Sequence, residues 1–233
     1  MSWIQEDLTF QEEKHVYKWQ GVPVLGTTSL FDRIGYRKDD QSPWNPIGCP
    51  DIAKGEEHSR WGKAFHKIAE MILLGEEPEI KDEDKRAEGQ MYIESFHLFL
   101  REHPVQLLFD EKGNPLVEYP VCSELFGVAG TFDFFGLNTN DNFYLPDWKT
   151  GESYMKSYGM QTACYESIIK EVFSVRPLFK IDGTKVSLTK RSKVHRQTCM
   201  FNKSFKKGFK PFEGDSRDFN NFLSILNTYR IAA

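Results

Sequence analysis

A chain of 233 residues with 39% hydrophobic, 14% aromatic and 27% charged residues is long enough to bury a core as one domain, and its composition excludes a disordered or fibrous protein. A formal net charge of −4 excludes bulk positive charge as a source of nucleic-acid affinity, so any such affinity must come from uneven distribution. No apolar run reaches the roughly 18 residues of a membrane-spanning helix, which excludes a membrane partner on this reading.

The chain order predicts the following elements. "LTFQ", a polar turn "EEKH" and "VYKWQGVPV" read as a hairpin whose second strand is ended by Gly21 and Pro23. "GTTSLFDRIG" opens on hydroxyl residues suited to capping and stops at Gly35, which predicts a short helix. Pro43, Pro46, Gly48 and Pro50 predict an irregular loop over 36–51 with Trp44 packed in it. These pieces form an elaboration over about residues 1–55 of a single domain, 1–233.

Trp61, Phe65, Ile68, Ala69 and Ile72 recur at helical spacing and predict a helix over 59–75. After a charged linker, Met91, Phe96, Leu98 and Phe99 supply the apolar positions of a second helix over 82–103. The pattern then switches to short β runs, "QLLFDEKG", "LVEYPVCSELFG", "VAGTFDFFGLN" and "NFYLPDWKT", spaced as an antiparallel meander. "SYGMQTACYESIIKEVF" predicts a helix over 157–173; "LFKI", "KVSLTKR" and "TCMFN" predict strands; residues 216–230 predict a closing amphipathic helix. The fold class is α/β, a central mixed sheet of about four or five strands flanked by helices.

Charge is unevenly placed. Acids dominate from Glu76 to Glu88, whereas Asp182 is the sole acid from Lys180 to Lys210 among ten lysines and arginines. Such a basic edge suits a polyanion, and on charge alone it equally suits a solvated lysine-rich loop. Cys49, Cys122, Cys164 and Cys199 form no C-x-x-C pair, which argues against a zinc site or disulfide framework. With no signal or transit character in "MSWIQEDLTF", the expected location is the cytoplasm, or the host cytoplasm if the chain is phage-encoded.

The chemistry concentrates in "GTFDFFGLNTNDNFYLPDWKTG". Strand alternation points Asp147 and Lys149 to one face with Trp148 on the other, and a turn at Asn138 to Asn142 brings Asp133 alongside. Clustered carboxylates repel unless a cation lies between them, and a hard divalent ion with oxygen ligands fits best. Read alone, the same residues also suit turn-flanking surface acids with Lys149 as an ion-pair partner.

Asp133, thirteen residues, then Asp147-Trp148-Lys149-Thr150 resembles the D-x(n)-(D/E)-x-K signature of the PD-(D/E)XK nuclease superfamily. The form "GTFD... DWKTG" is similar to the branch containing RecB and AddAB nuclease domains and the mitochondrial genome maintenance exonuclease, with phage-type relatives. "WGKAFHKIAE" resembles that branch's helix motif G-T-x-x-H-x-x-x-E at His66 and Glu70, and "QTACY" matches its Q-x-x-x-Y at Gln161 and Tyr165. "GVPVLGTTSL" is similar to a phage-type opening but departs from it at Val24-Leu25-Gly26. The resemblance covers about residues 20 to 170.

The resemblance implies a restriction-endonuclease-like core. It implies that His66, Asp133, Asp147 and the main-chain carbonyl of Trp148 hold Mg²⁺ or Mn²⁺, while Lys149 addresses the attacking water or scissile phosphate. Gln161 and Tyr165 are expected to buttress the site and touch the substrate backbone. Glu70 and Glu118 are the expected outer acids, one orienting His66 and the other supporting the metal or contacting DNA. Lys190, Arg191, Lys193 and Arg196 are the first choices for phosphate contacts, with Tyr154, Tyr158 and Phe205 near enough for base stacking. Pro146 departs from the usual apolar residue and suggests a bulge or an unpaired nitrogen. No four-cysteine pattern suggests an iron-sulfur cluster. No G-x-x-x-x-G-K-[ST] is present, so a helicase or recombination partner would supply any motor.

The expected activity is a metal-dependent DNA exonuclease acting on single-stranded or end-exposed DNA in recombination, repair or phage DNA processing. The alternatives are a non-cutting nucleic-acid-binding module of the same fold and a structure-specific endonuclease.

Overall fold

The computed structural model describes residues 7–11, 16–33, 52–80, 86–151 and 153–232, with the side chains of 32, 33, 52–60 and 232 outside that description. The predicted turn at 12–15 and the loop over 36–51, with Trp44, lie outside the described residues.

β1 (Leu8–Gln11) and β2 (Val16–Trp19) pair antiparallel, as their alternation predicts. The second strand does not continue to Pro23. Gln20 and Gly21 take φ of 48° and 79° and turn the chain into β3 (Val22–Gly26), which pairs back on β2. Positive φ at both central residues gives the two-residue turn whose twist matches its strands. α1 (Thr27–Arg33) follows, anchored by Thr27 Oγ1 donating to the Ala129 carbonyl at 2.9 Å.

α2 (Ile52–Leu73) starts before the predicted residue 59, and α3 (Arg86–Glu102) lies within its predicted span. Trp61, Phe65 and Ala69 of α2 meet Tyr92, Phe96 and Phe99 of α3 in one core with Trp148, Cys199 and Phe201. Each ring so buried contributes on the order of 2 kcal/mol of transfer free energy.

The strands that follow are β4 (Val105–Leu107), β5 (Val117–Ser123), β6 (Val128–Phe134), β7 (Gly136–Asn138) and β8 (Phe143–Thr150). Next come α4 (Lys156–Phe173), β9 (Leu178–Phe179), β10 (Lys185–Val186), β11 (Val194–Phe201), β12 (Phe209–Glu213) and α5 (Asp218–Ala232). The fold is mixed α/β, but the single central sheet is divided. One five-stranded sheet runs β1-β2-β3-β6-β5 and another β12-β11-β8-β7-β4, with β9 and β10 as a separate pair. Each five-stranded sheet holds one parallel pair, β3 with β6 and β8 with β11.

The division falls at Phe135, which leaves the ladder and donates its N–H to the Leu116 carbonyl at 2.9 Å. Phe132 and Phe135 join the core beneath α4 and α5, while Phe134 joins the core beneath α2 and α3. In an unbroken strand Phe132 and Phe134 would share a face, yet they enter different cores, so the run that alternation alone reads as continuous divides here. The expected meander is therefore split, "KVSLTKR" yields the two-residue β10, and β12 is a strand the sequence reading missed. β12 is an edge strand, where Pro211 costs no essential ladder donor. At Pro146 the register with β11 runs unbroken from Phe143 to Thr150, so the suggested bulge is absent.

Asp110 organises the turn between β4 and β5. Its carboxylate accepts from the backbone N–H of Lys112 at 2.9 Å and of Asn114 at 2.8 Å, from Asn114 Nδ2 at 2.8 Å and from the Tyr119 hydroxyl at 2.9 Å. Burial opposes its charge, but these donors hold its pKa below 3.8. Asp110→Ala should therefore cost about 2–3 kcal/mol in denaturant unfolding near neutral pH, with Glu111→Ala within about 0.5 kcal/mol. Because the folded pKa is depressed, the Asp110 contribution should fade as pH falls through that lowered value.

Candidate metal centre

Three elements converge where the two sheets approach. α2 presents His66, β5 presents Glu118 and β6 presents Asp133. In the β5–β6 register Val117 faces Phe134 and Tyr119 faces Phe132, which sets Glu118 across from Asp133. His66 Nδ1 lies 3.0 Å from Glu118 Oε1 and 3.4 Å from Asp133 Oδ1. One ligand atom from each residue falls within 4.8 Å of the others, the one such group of His, Cys, Asp or Glu among the described residues.

Glu118 sits at φ 45°, in the left-handed region that a glutamate adopts at a cost of about 1–3 kcal/mol. A strained acid opposite another acid, beside an imidazole, is a local arrangement that stability alone does not favour.

β8 completes the cluster. Trp148 N–H donates to Asp133 Oδ2 at 2.5 Å, and Lys149 Nζ donates to Asp147 Oδ1 at 2.7 Å. Trp148 itself faces the α2–α3 core, so alternation sends Asp147 and Lys149 to the other face as expected. Asp147 Oδ2 is buried and has no hydrogen-bond partner. Lys149 Nζ also lies 5.6 Å from the centre of the Tyr158 ring, within cation–π reach.

The electrostatics follow from confinement. Burial opposes protonation of His66, yet the Asp133 charge and the Glu118 hydrogen bond overcome it and hold the imidazole pKa at about 9. Burial lifts the Asp147 carboxyl to about 6, with Lys149 pulling the other way and the Asp133 charge adding to the rise. Burial likewise raises Asp133 against the attraction of His66 and Lys149. For Lys149, burial is outweighed by Asp147 and Asp133, which keep the ammonium protonated far above neutral pH.

These residues fit a hard divalent cation. With a neutral imidazole, three carboxylates against one ammonium leave two negative charges in excess (three minus one). His66, Glu118 and Asp133 already stand close enough to share an ion; Asp147, expected as a metal ligand, falls outside that group, and its buried Oδ2 has no hydrogen-bond partner. A proton on His66 partly offsets the excess charge in the structure as it stands.

Several expected residues are placed differently. Glu118, expected as an outer acid, stands among the three convergent ligands, whereas Glu70 pairs with Lys67 at 2.7 Å and does not orient His66. Counting back from the turn at Leu125 and Phe126 would have set Glu118 opposite Asp133 in the sequence. The Trp148 amide N–H, which the expectation left out, also serves the site by donating to Asp133.

Gln161 and Tyr165 are joined at 3.2 Å but are 6% and 3% exposed, which suits support beneath the site and not contact with a substrate. Tyr165 packs so close to Gly130 that a Cβ there would lie 2.5 Å from its ring. Arg196 is also internal. Its guanidinium binds Glu166 at 2.9 Å, Asp218 at 3.2 Å, the Asp215 carbonyl at 2.7 Å and the Gly159 carbonyl at 3.1 Å, which corrects its expected role as a phosphate contact.

Lys190, Arg191 and Lys193 are exposed, but they precede Val194, whose partner is Phe143. That rung lies four residues from Asp147, about 13 Å along the strand, so the basic turn caps the far end of the β8–β11 pair. Among the described residues no helix is long and apolar enough to cross a membrane. No known family model matches the chain, and no curated protein matches it.

The raised His66 pKa means that its proton stabilises the fold. That contribution is complete below pH 6.5 and is lost as pH rises through about 9. In chelator-treated protein the melting temperature should fall across this window, and His66→Gln should flatten the fall. An unchanged slope in the variant contradicts the assignment.

Proposed function

We propose that the chain is a metal-dependent deoxyribonuclease, an exonuclease hydrolysing phosphodiester bonds in single-stranded or end-exposed DNA during recombination, repair or phage DNA processing. One observation carries this reading: His66, Glu118 and Asp133 share a volume fit for one cation, with Asp147 and Lys149 beside them. The resemblance of "GTFD... DWKTG" to PD-(D/E)XK nucleases supports it from the sequence side.

His66, Glu118 and Asp133 would hold Mg²⁺ or Mn²⁺, with Asp147, the further ligand that the resemblance implies, beside them. Such an ion, when bound, supplies an acidified water and a polarised phosphoryl oxygen. The protein's own part is positional. Asp147 fixes the Lys149 ammonium from one side and the Tyr158 ring supports it from another, so a permanent positive charge faces the place where phosphate charge would build. The strained Glu118 and the Trp148 amide hold the carboxylates in place before any substrate arrives. Charge fixed in place beforehand is the condition for stabilising a transition state electrostatically.

The test is labelled linear single-stranded DNA with Mg²⁺ or Mn²⁺, read for released nucleotides, beside closed circular DNA. Parent protein should degrade the linear strand only with metal and leave circles intact, and Lys149→Ala should lower the rate about 10²- to 10³-fold. Binding without products would instead favour a non-cutting module, and nicked circles an endonuclease.

A further inference from the structure

Register carries the face that bears Asp147 and Lys149 outward across the sheet. Asp147 is level with Thr198, and Thr198 with Phe212; Lys149 is level with Met200, and Met200 with Lys210. Residues level on neighbouring strands share a face, so Phe212 and Lys210 lie two strand spacings, about 10 Å, from the Asp147–Lys149 pair on the same side. Thr198 and Met200, on the strand between them, are buried beneath α4.

The N-terminal end of α4 and the segment before it bridge this interval with rings. Tyr158 lies beneath Lys149; Tyr154 meets Tyr158 edge to face at 6.0 Å and stacks on Phe212 at 4.6 Å. Lys210 Nζ lies 5.1 Å from the Phe212 ring centre. All three rings are half-buried and so keep part of their surface open. Tyr154 and Phe212 also border an open cleft of about 400 Å³, which Lys156 and Arg217 share.

We infer that this belt, Lys149–Tyr158–Tyr154–Phe212–Lys210, is a track for single-stranded nucleic acid leaving the metal centre across the β12 edge. The inference rests on the nuclease reading above and gives its substrate a path. A single strand offers unpaired bases at short intervals along a charged backbone, which a run of three rings with a cation at each end matches; a duplex hides its base faces.

The acids bordering the cleft already have hydrogen-bond or ion-pair partners. Glu213 accepts from His195 at 2.5 Å and Gln197 at 2.9 Å, Asp215 pairs with Arg217 at 2.7 Å, and Asp218 pairs with Arg196 at 3.2 Å. Repulsion of phosphate is therefore local and partly cancelled. Beside the exposed Lys190–Lys193 turn, at the other end of β11, the half-buried ring is Phe143, level with Val194 and stacked on the buried Phe135, without the run of three rings seen at β12.

The experiment titrates the full chain into labelled oligothymidylate of about twenty nucleotides, in excess chelator so that cutting cannot intervene. The same preparation is scored for cutting with Mn²⁺, which separates failure of the track from failure of the nuclease reading. The parent should bind single strands more tightly than duplex. Phe212→Ala should weaken binding about 5- to 100-fold. Lys210→Glu, a surface change that spares packing, should weaken it and reduce the salt dependence by about one counterion or more. Parental affinity in both variants, preference for duplex, or a larger loss on reversing Lys190, Arg191 and Lys193 overturns the track.

Discussion

Three carboxylates and one imidazole are confined where β6 of one sheet meets β8 of the other, and the free energy of that crowding governs the site. Taking an ionised carboxylate out of water costs several kcal/mol unless a partner compensates. Here the compensation is unequal. Lys149 neutralises one face of Asp147, the Trp148 amide satisfies one oxygen of Asp133, and a protonated His66 bridges Asp133 and Glu118. What is left over is a buried Asp147 oxygen and a glutamate in left-handed backbone. A core built for stability would replace such a cluster with apolar side chains.

The scaffold holds the crowding in place by exploiting the break at Phe135. Because Phe132 and Phe135 enter one core and Phe134 the other, Asp133 is fixed at the crossing from one sheet to the next. α2 packs Trp61, Phe65 and Ala69 on the second core, which directs His66 toward β5. On the far side, Gly130 lets the Tyr165 ring lie against β6, and Arg196 ties α4 to β11 and to the start of α5. Arg196 thus acts on the ring track indirectly, by fixing Gly159 one residue after Tyr158. Support and chemistry are divided between neighbouring residues of the same elements.

Local signals made the helices and the Asp147–Lys149 pair legible in the sequence. Helical periodicity placed α2, α3, α4 and α5, and period-two alternation placed Asp147 and Lys149 on one face. Nonlocal effects were not legible. The strand break at Phe135 depends on which core claims each phenylalanine, and two adjacent rings in a β run give no sign of that. β12 was hidden by Pro211 and its flanking lysines, which are acceptable only because the strand lies at an edge. Arg196 looked like its basic neighbours because its partners, Glu166 and Asp218, lie in helices distant in sequence. Glu118 was visible as an acid, but its importance follows from a register and a backbone angle.

Manganese binding tests the central claim most directly, because it asks about the cluster without asking about DNA. Titration of the chelator-stripped protein with Mn²⁺, followed by electron paramagnetic resonance, should show one tightly held ion at saturating protein. Asp133→Asn and Glu118→Gln, each nearly isosteric, should weaken that binding by at least about tenfold while the fold persists by circular dichroism. Undiminished Mn²⁺ binding in both variants, or none in the parent, would contradict the assignment of these acids to a shared cation.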